Sequence, residues 1–107
     1  MSTFDEREKA FENKFKRDQE LQFKVTARRN KLLGLWAAEQ MGIKGDAAEA
    51  YAKEIVAADL DRAGDSDVVD RVLKDFAAKG VDHDASKVRR EMERLMGVAK
   101  EQVAKQG

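Results

Sequence analysis

Neither cysteine nor proline occurs in this chain of 107 residues, and histidine occurs once. Without Cys there is no disulfide framework and no thiolate metal site. Without Pro no helix is broken from within, and the Gly residues fall mostly at segment ends. Together these predict a chain that is nearly all helix. The single His83 cannot build a His-rich metal site, and flanked by Asp82 and Asp84 it reads as a solvated loop residue. No segment approaches the roughly 20 apolar residues of a membrane span. Ser2 to Glu20 is charged throughout and lacks the apolar run of a secretory leader. Gly42-Ile43-Lys44-Gly45 lacks the spacing of a phosphate loop. The expectation is a cytoplasmic protein of one domain, without membrane insertion.

Charge, by contrast, is plentiful: 39% of the residues are Asp, Glu, Lys or Arg, and they cancel to a net charge of zero. They are spread unevenly, +3 over residues 1–31, −6 over 39–84 and +3 over 85–107. A nucleic-acid binder carries a stronger basic stripe, so that class is not expected.

Against this charged background, Leu32 to Ala38 is uncharged and contains the only Trp, Trp36. A segment apolar most of the way round belongs among neighbours on several sides, and it predicts the central rod of a small bundle. Leu21, Val25, Leu32, Leu35 and Trp36 form its expected inner stripe. Gly34, in mid-helix, suggests the close approach of another helix. Gly42 should stop this first helix near Met41. Asp46 is expected to cap a second helix, buried through Ala48, Tyr51, Ala52, Ile55 and Ala58, that stops at Gly64. Asp65-Ser66-Asp67 should cap a third with Val69, Val72, Leu73 and Phe76 inside, closed by Lys79-Gly80. Asp84 should cap a fourth, with Val88, Met92, Leu95, Met96, Ala99 and Val103 on its inner face. Short connections between four helices predict an all-α, antiparallel four-helix bundle.

The leading residues stand apart. Thr3 and Glu6 have capping-box spacing, and Phe4, Phe11 and Phe15 fall within about 40° of one another on a helical wheel. Continued past Phe15, that face meets Asp18, Gln19 and Gln22, so the stripe ends. Its phase differs from the expected inner stripe by roughly a quarter turn. Either the three Phe pack on the bundle as ordinary turns of helix, or residues 1–18 form a mobile or helical N-terminal arm that docks into another protein, with residues 19–107 as the bundle.

Two further constellations bear on chemistry. Asp59 to Asp70 is a near miss to a calcium loop, with Ala63 and Asp70 where ligating side chains should differ; a helix stop followed by a cap explains it without metal. Arg28, Arg29 and Lys31, with Lys24 a turn earlier, concentrate positive charge beside the apolar rod. They suit a solvated face, an acidic partner or a nucleotide phosphate. No nucleophile–base set appears, and an enzyme is not expected.

The run Thr3-Phe4-Asp5-Glu6-Arg7-Glu8-Lys9-Ala10-Phe11-Glu12-Asn13-Lys14-Phe15, then Gln22-Phe23-Lys24, then Arg28-Arg29-Asn30-Lys31-Leu32-Leu33-Gly34-Leu35-Trp36-Ala37-Ala38-Glu39, resembles the zeta subunit of alphaproteobacterial F-type ATP synthases. The likeness extends through Ala50 to Glu54 and Val88 to Arg90. It implies a four-helix inhibitor of ATP hydrolysis, peripheral on the inner-membrane synthase, whose N-terminal segment enters a catalytic interface of the alpha and beta subunits near gamma. Carried to this chain, Phe4, Arg7, Phe11 and Phe15 would be the partner-binding residues of a protein that is a monomer when free and needs no cofactor. The alternatives are a helical adaptor or a nucleotide-sensing module with a different partner, contacted through Arg28, Arg29 and Lys31.

Overall fold

A computed structural model describes the backbone of residues 3–61 and 65–106, with side chains over 18–59 and 66–106. The chain forms α1 (Thr3–Gln40), α2 (Asp46–Asp61), α3 (Asp65–Lys79) and α4 (Ala85–Gln106), with no strand among the described residues. The expected all-α four-helix bundle is found.

Local chemistry explains where the described helices begin and end. At the end of α1 the Ile43 N–H donates to the Ala38 carbonyl at 2.8 Å and the Gly42 N–H to that of Glu39 at 3.1 Å. The end of α3 repeats the arrangement, Val81 to Phe76 at 2.8 Å and Gly80 to Ala77 at 3.3 Å. Both are Schellman stops, with Gly42 and Gly80 at φ of 75° and 71°. Each also packs an apolar residue, Ile43 or Val81, against the core. Helix α4 opens as expected: the Asp84 carboxylate accepts the Lys87 N–H at 2.9 Å. Helix α2 differs by one residue. The Ala48 and Glu49 N–H groups donate to the Gly45 carbonyl, so Gly45 is the cap and Asp46 the first helical residue. The expected stop at Gly64 and the middle of the near-calcium loop lie outside the described residues.

Helix α1 is central, packing on α2 and α4 and, across the diagonal, on α3; among the described residues no Cα of α2 lies within 8 Å of one in α4. Neighbours run antiparallel. Asn30 meets Asp59 and Gly34 meets Ala52 across α1 and α2, while Tyr51 meets Asp75 and Glu54 meets Arg71 across α2 and α3. The core comprises Leu33, Ala37, Ala38, Tyr51, Ile55, Val68, Val69, Val72, Phe76, Val88, Met92 and Leu95. Gly34 sits where the sequence suggested a close approach, since a Cβ there would lie 2.6 Å from the Ala52 Cα.

The inner face of α1 is not the expected one. Leu33, Ala37 and Ala38 are fully buried, together with Arg29 and Asn30. Leu32, Leu35 and Trp36 are half-buried and Leu21 is exposed. An apolar run that encircles a helix carries no phase information; the phase is set by the small residues that let α2 approach. One consequence concerns the leading stripe. On a straight helix Arg29 and Leu33 fall within about 20° of the azimuth of Phe4, Phe11 and Phe15. Register therefore does not set the first segment apart from the bundle helix. His83 also departs from expectation. It is half-buried, stacked on Trp36 with centroids 6.0 Å apart and edge-on to Phe76 at 5.5 Å, with Nε2 3.0 Å from Gln40 Oε1. Half-buried Trp36 and buried Phe76, beside the α3–α4 connection, give the imidazole an apolar seat that its acidic neighbours in sequence concealed.

Candidate functional site

A basic cluster contiguous in sequence need not be contiguous in space, because successive helical residues are about 100° apart. Arg29 turns inward and is 3% exposed, whereas Arg28 is half-buried and Lys31 exposed on the other side of α1. The structure thus brings Arg28 and Lys31 together with Lys24, and sends Arg29 elsewhere.

Arg29 belongs to a buried polar group. Its Nε and one terminal nitrogen donate to Asn30 Oδ1 at 3.2 and 2.9 Å, and Asn30 Nδ2 donates to Asp59 Oδ2 at 2.9 Å. Arg29 has further interactions besides these. The group joins α1 to α2 in a setting where an unsatisfied polar atom would be costly. Arg29 also borders a cleft of about 540 Å³ between α1, α3 and α4, with Ser66, Val69, Arg89, Met92, Glu93 and Met96. Hydrophobic periodicity could not have found Asn30, since an amide on a core face runs against the pattern.

Lys24, Arg28 and Lys31 occupy positions i, i+4 and i+7, one side of α1. With Phe23, Ala27, Val56, Val103 and Gln106 they line a shallow groove of about 340 Å³ at the open end of the bundle. Its floor is apolar, and no acidic residue lines it among the described residues. Phe23 is 61% exposed, the most exposed large apolar side chain among the described residues. Periodicity alone missed it, because it lies on neither apolar stripe. A second, smaller hollow of about 290 Å³ lies beside it, lined by Gln19, Glu20, Phe23 and Lys24.

Another polar network fastens α2 to α3. The Tyr51 hydroxyl donates to Asp75 Oδ2 at 2.7 Å, Arg71 Nε donates to the same oxygen at 2.9 Å, and Arg71 reaches Glu54 at 3.0 Å. Burial first, then the bond to Asp75, pushes the Tyr51 hydroxyl well above its ordinary pKa. The Asp75 bond raises that of Arg71. Both shifts follow from structural pairing, with nothing in the geometry that resembles a nucleophile and its base. Among the described residues no three His, Cys, Asp or Glu side chains are grouped to hold a metal.

The side chains of Phe4, Arg7, Phe11 and Phe15 lie outside the described residues. The first described side chains of α1 bear on them indirectly: Asp18 to Lys24 are all exposed, and packing begins at Val25. Among the described residues no helix is long and apolar enough to cross a membrane.

This architecture has a solved counterpart. A protein whose structure was determined by NMR in solution is 48% identical, with a TM-score of 0.72, the match covering 81% of this chain and 99% of that one. No curated protein matches. The family described as ATPase inhibitor subunit zeta matches residues 1–102, which takes in the leading segment, the apolar rod and nearly all of α4. With that span and this fold, the chain belongs to the ATPase inhibitor subunit zeta family.

Proposed function

We propose that the chain inhibits ATP hydrolysis by an F-type ATP synthase by inserting residues 1–18 at a catalytic interface between alpha and beta subunits, close to gamma. Family membership supports the inhibitory role. The observation that carries the mechanism is the exposure of every residue from Asp18 to Lys24 at the start of the described part of α1. The last turns of α4, at Val103 and Gln106, border the same groove as Phe23 and Lys24. Among the described residues the bundle offers no covering surface to α1 at Asp18. Exposure, rather than register, singles out this end of the molecule.

Phe4, Phe11 and Phe15 form the apolar ridge of the arm, with Arg7 beside them to pair with an acidic group of the partner. Burying three Phe supplies roughly 5–8 kcal/mol, against about 2–5 kcal/mol for ordering a segment that folds on binding. That surplus, about 0–6 kcal/mol, offsets only part of the cost of association, so contacts from the bundle must add to it. Residues 19–107 act as anchor and bulky stop, in a regulatory role at the surface of the synthase.

The experiment is a truncation that begins at Gln19, assayed against the isolated catalytic head of the synthase. Circular dichroism should report a folded bundle. Inhibition of hydrolysis at a saturating concentration should fall at least tenfold. A truncated chain that inhibits as strongly as the full one refutes the arm mechanism.

A further inference from the structure

Arg28 and Lys31, with Lys24, present a stripe of positive charge that the internal structure does not use. Among the described residues none of the three takes part in an ion pair, and the groove they line contains no acid. In a chain whose charges cancel overall, three cations on one side of a helix and no counter-charge in the groove is a local excess. The floor beneath them is apolar, and Phe23 stands 61% exposed at its edge. An apolar centre with a charged rim is the make-up of a protein-binding surface.

The position of the groove determines what meets it. It lies on the same helix as the arm and directly behind it. At 1.5 Å per residue, Phe23 is only about 8 Å along the axis from Asp18, and Lys31 about 20 Å. A helix that enters a crevice as far as residue 18 must hold these residues at the mouth of that crevice. On the helical wheel the cation stripe lies on the side opposite Phe4, Phe11 and Phe15. On a straight helix that spacing assigns the cations and the aromatic ridge to opposite walls.

We infer that the groove of Phe23, Lys24, Arg28, Lys31, Val56 and Val103 is a second docking surface, which receives an acidic segment of the catalytic head at the mouth of the crevice entered by the arm. This rests on the arm mechanism proposed above. Its role is to speed and orient the encounter: charges at a rim act chiefly on association rate and are sensitive to salt. The aromatic ridge, not the groove, carries the block itself.

The test measures half-inhibitory concentration and maximal inhibition separately, using full-length chains and the isolated catalytic head at low and high ionic strength. The triple variant Lys24→Glu, Arg28→Glu, Lys31→Glu should raise the half-inhibitory concentration about tenfold at low salt. It should still inhibit fully at saturation, and high salt should erase its difference from the parent. The parent alone should weaken as salt rises, a measurement that needs no variant to fold. Phe11→Ala with Phe15→Ala should instead lower the maximal inhibition. An unchanged half-inhibitory concentration in the charge-reversed chain, or a parent indifferent to salt, overturns the groove while leaving the arm mechanism standing. A double Phe variant with undiminished maximal inhibition overturns the arm mechanism itself. Amide shifts at Arg28 and Lys31 on adding ADP alone, with no salt effect on inhibition, would mark the groove as a phosphate site and overturn the inference.

Discussion

Two helical glycines should respond in opposite directions to the same substitution. An Ala at Gly34 would place its Cβ 2.6 Å from the Ala52 Cα and 3.1 Å from the Ala52 Cβ. The nearest atom is backbone, so no side-chain rotation can relieve the clash, and α1 and α2 must part by nearly 1 Å, on the order of the shortfall from ordinary van der Waals contact. Helix propensity favours Ala by about 1 kcal/mol. Overpacking costs typically 1–3 kcal/mol, and a backbone obstacle puts this site at the upper end. The net loss is about 2 kcal/mol, which for a domain of this size lowers Tm by roughly 8–16 °C. At Gly97, on the exposed side of α4, an added Cβ meets nothing within 4 Å. There only the propensity term remains, and Gly97→Ala should raise Tm by about 4–8 °C. Thermal melts followed by circular dichroism at 222 nm, with both variants and the parent in one buffer, measure the difference. A Gly34→Ala protein as stable as the parent would refute the tight crossing of α1 and α2. A Gly97→Ala protein that melts lower would refute the separation of propensity from packing.

Two smaller perturbations probe the polar framework. Because the folded-state pKa of Tyr51 is raised, its contribution to stability is complete below the unfolded value near 10 and is lost as pH rises through the folded value. Urea midpoints of the parent should therefore fall above about pH 10. Tyr51→Phe should be about 1 kcal/mol less stable at pH 7 and should show a shallower alkaline decline; equal declines in both proteins would contradict the assignment. Asp84→Ala removes the side-chain cap of α4 and should cost about 1 kcal/mol by urea denaturation, whereas Asp84→Asn, which keeps an acceptor oxygen, should cost much less.

How far the sequence disclosed this molecule depended on the kind of signal. The stops at Gly42 and Gly80 and the start at Asp84 were legible because they are local: the glycines take positive φ, and Asp84 offers an acceptor three residues ahead of a free N–H. The α2 cap, by contrast, fell one residue from the expected Asp46. The faces of α3 and α4 were largely legible because polar residues bracket their apolar stripes. Val68, fully buried one position before the expected stripe, shows the width of the face that α3 presents. On α1 the signal failed, since Leu32 to Ala38 is apolar all round and the burial of Arg29 and Asn30 depends on Asp59 of another helix. The candidate site divided along the same line. Arg28 and Lys31 share a surface because they are three residues apart, whereas Arg29, one residue from Arg28 and two from Lys31, turns away from both. Phe23 matters through its position at the end of the bundle, and no single-sequence pattern reports where a bundle ends.

The half-buried bond from Asn30 to Asp59 has a mechanical consequence for the molecule. Apolar contacts tolerate sliding, but a slip of one residue along α1 would swing this amide about 100° away from its carboxylate. The pair thus acts as an index mark that sets how α1 is seated, in height and in rotation, against its neighbour. Whatever projects from the far end of that rod inherits a defined bearing: the scaffold holds a pointer by its shaft, and the heading is decided deep inside, well away from the tip.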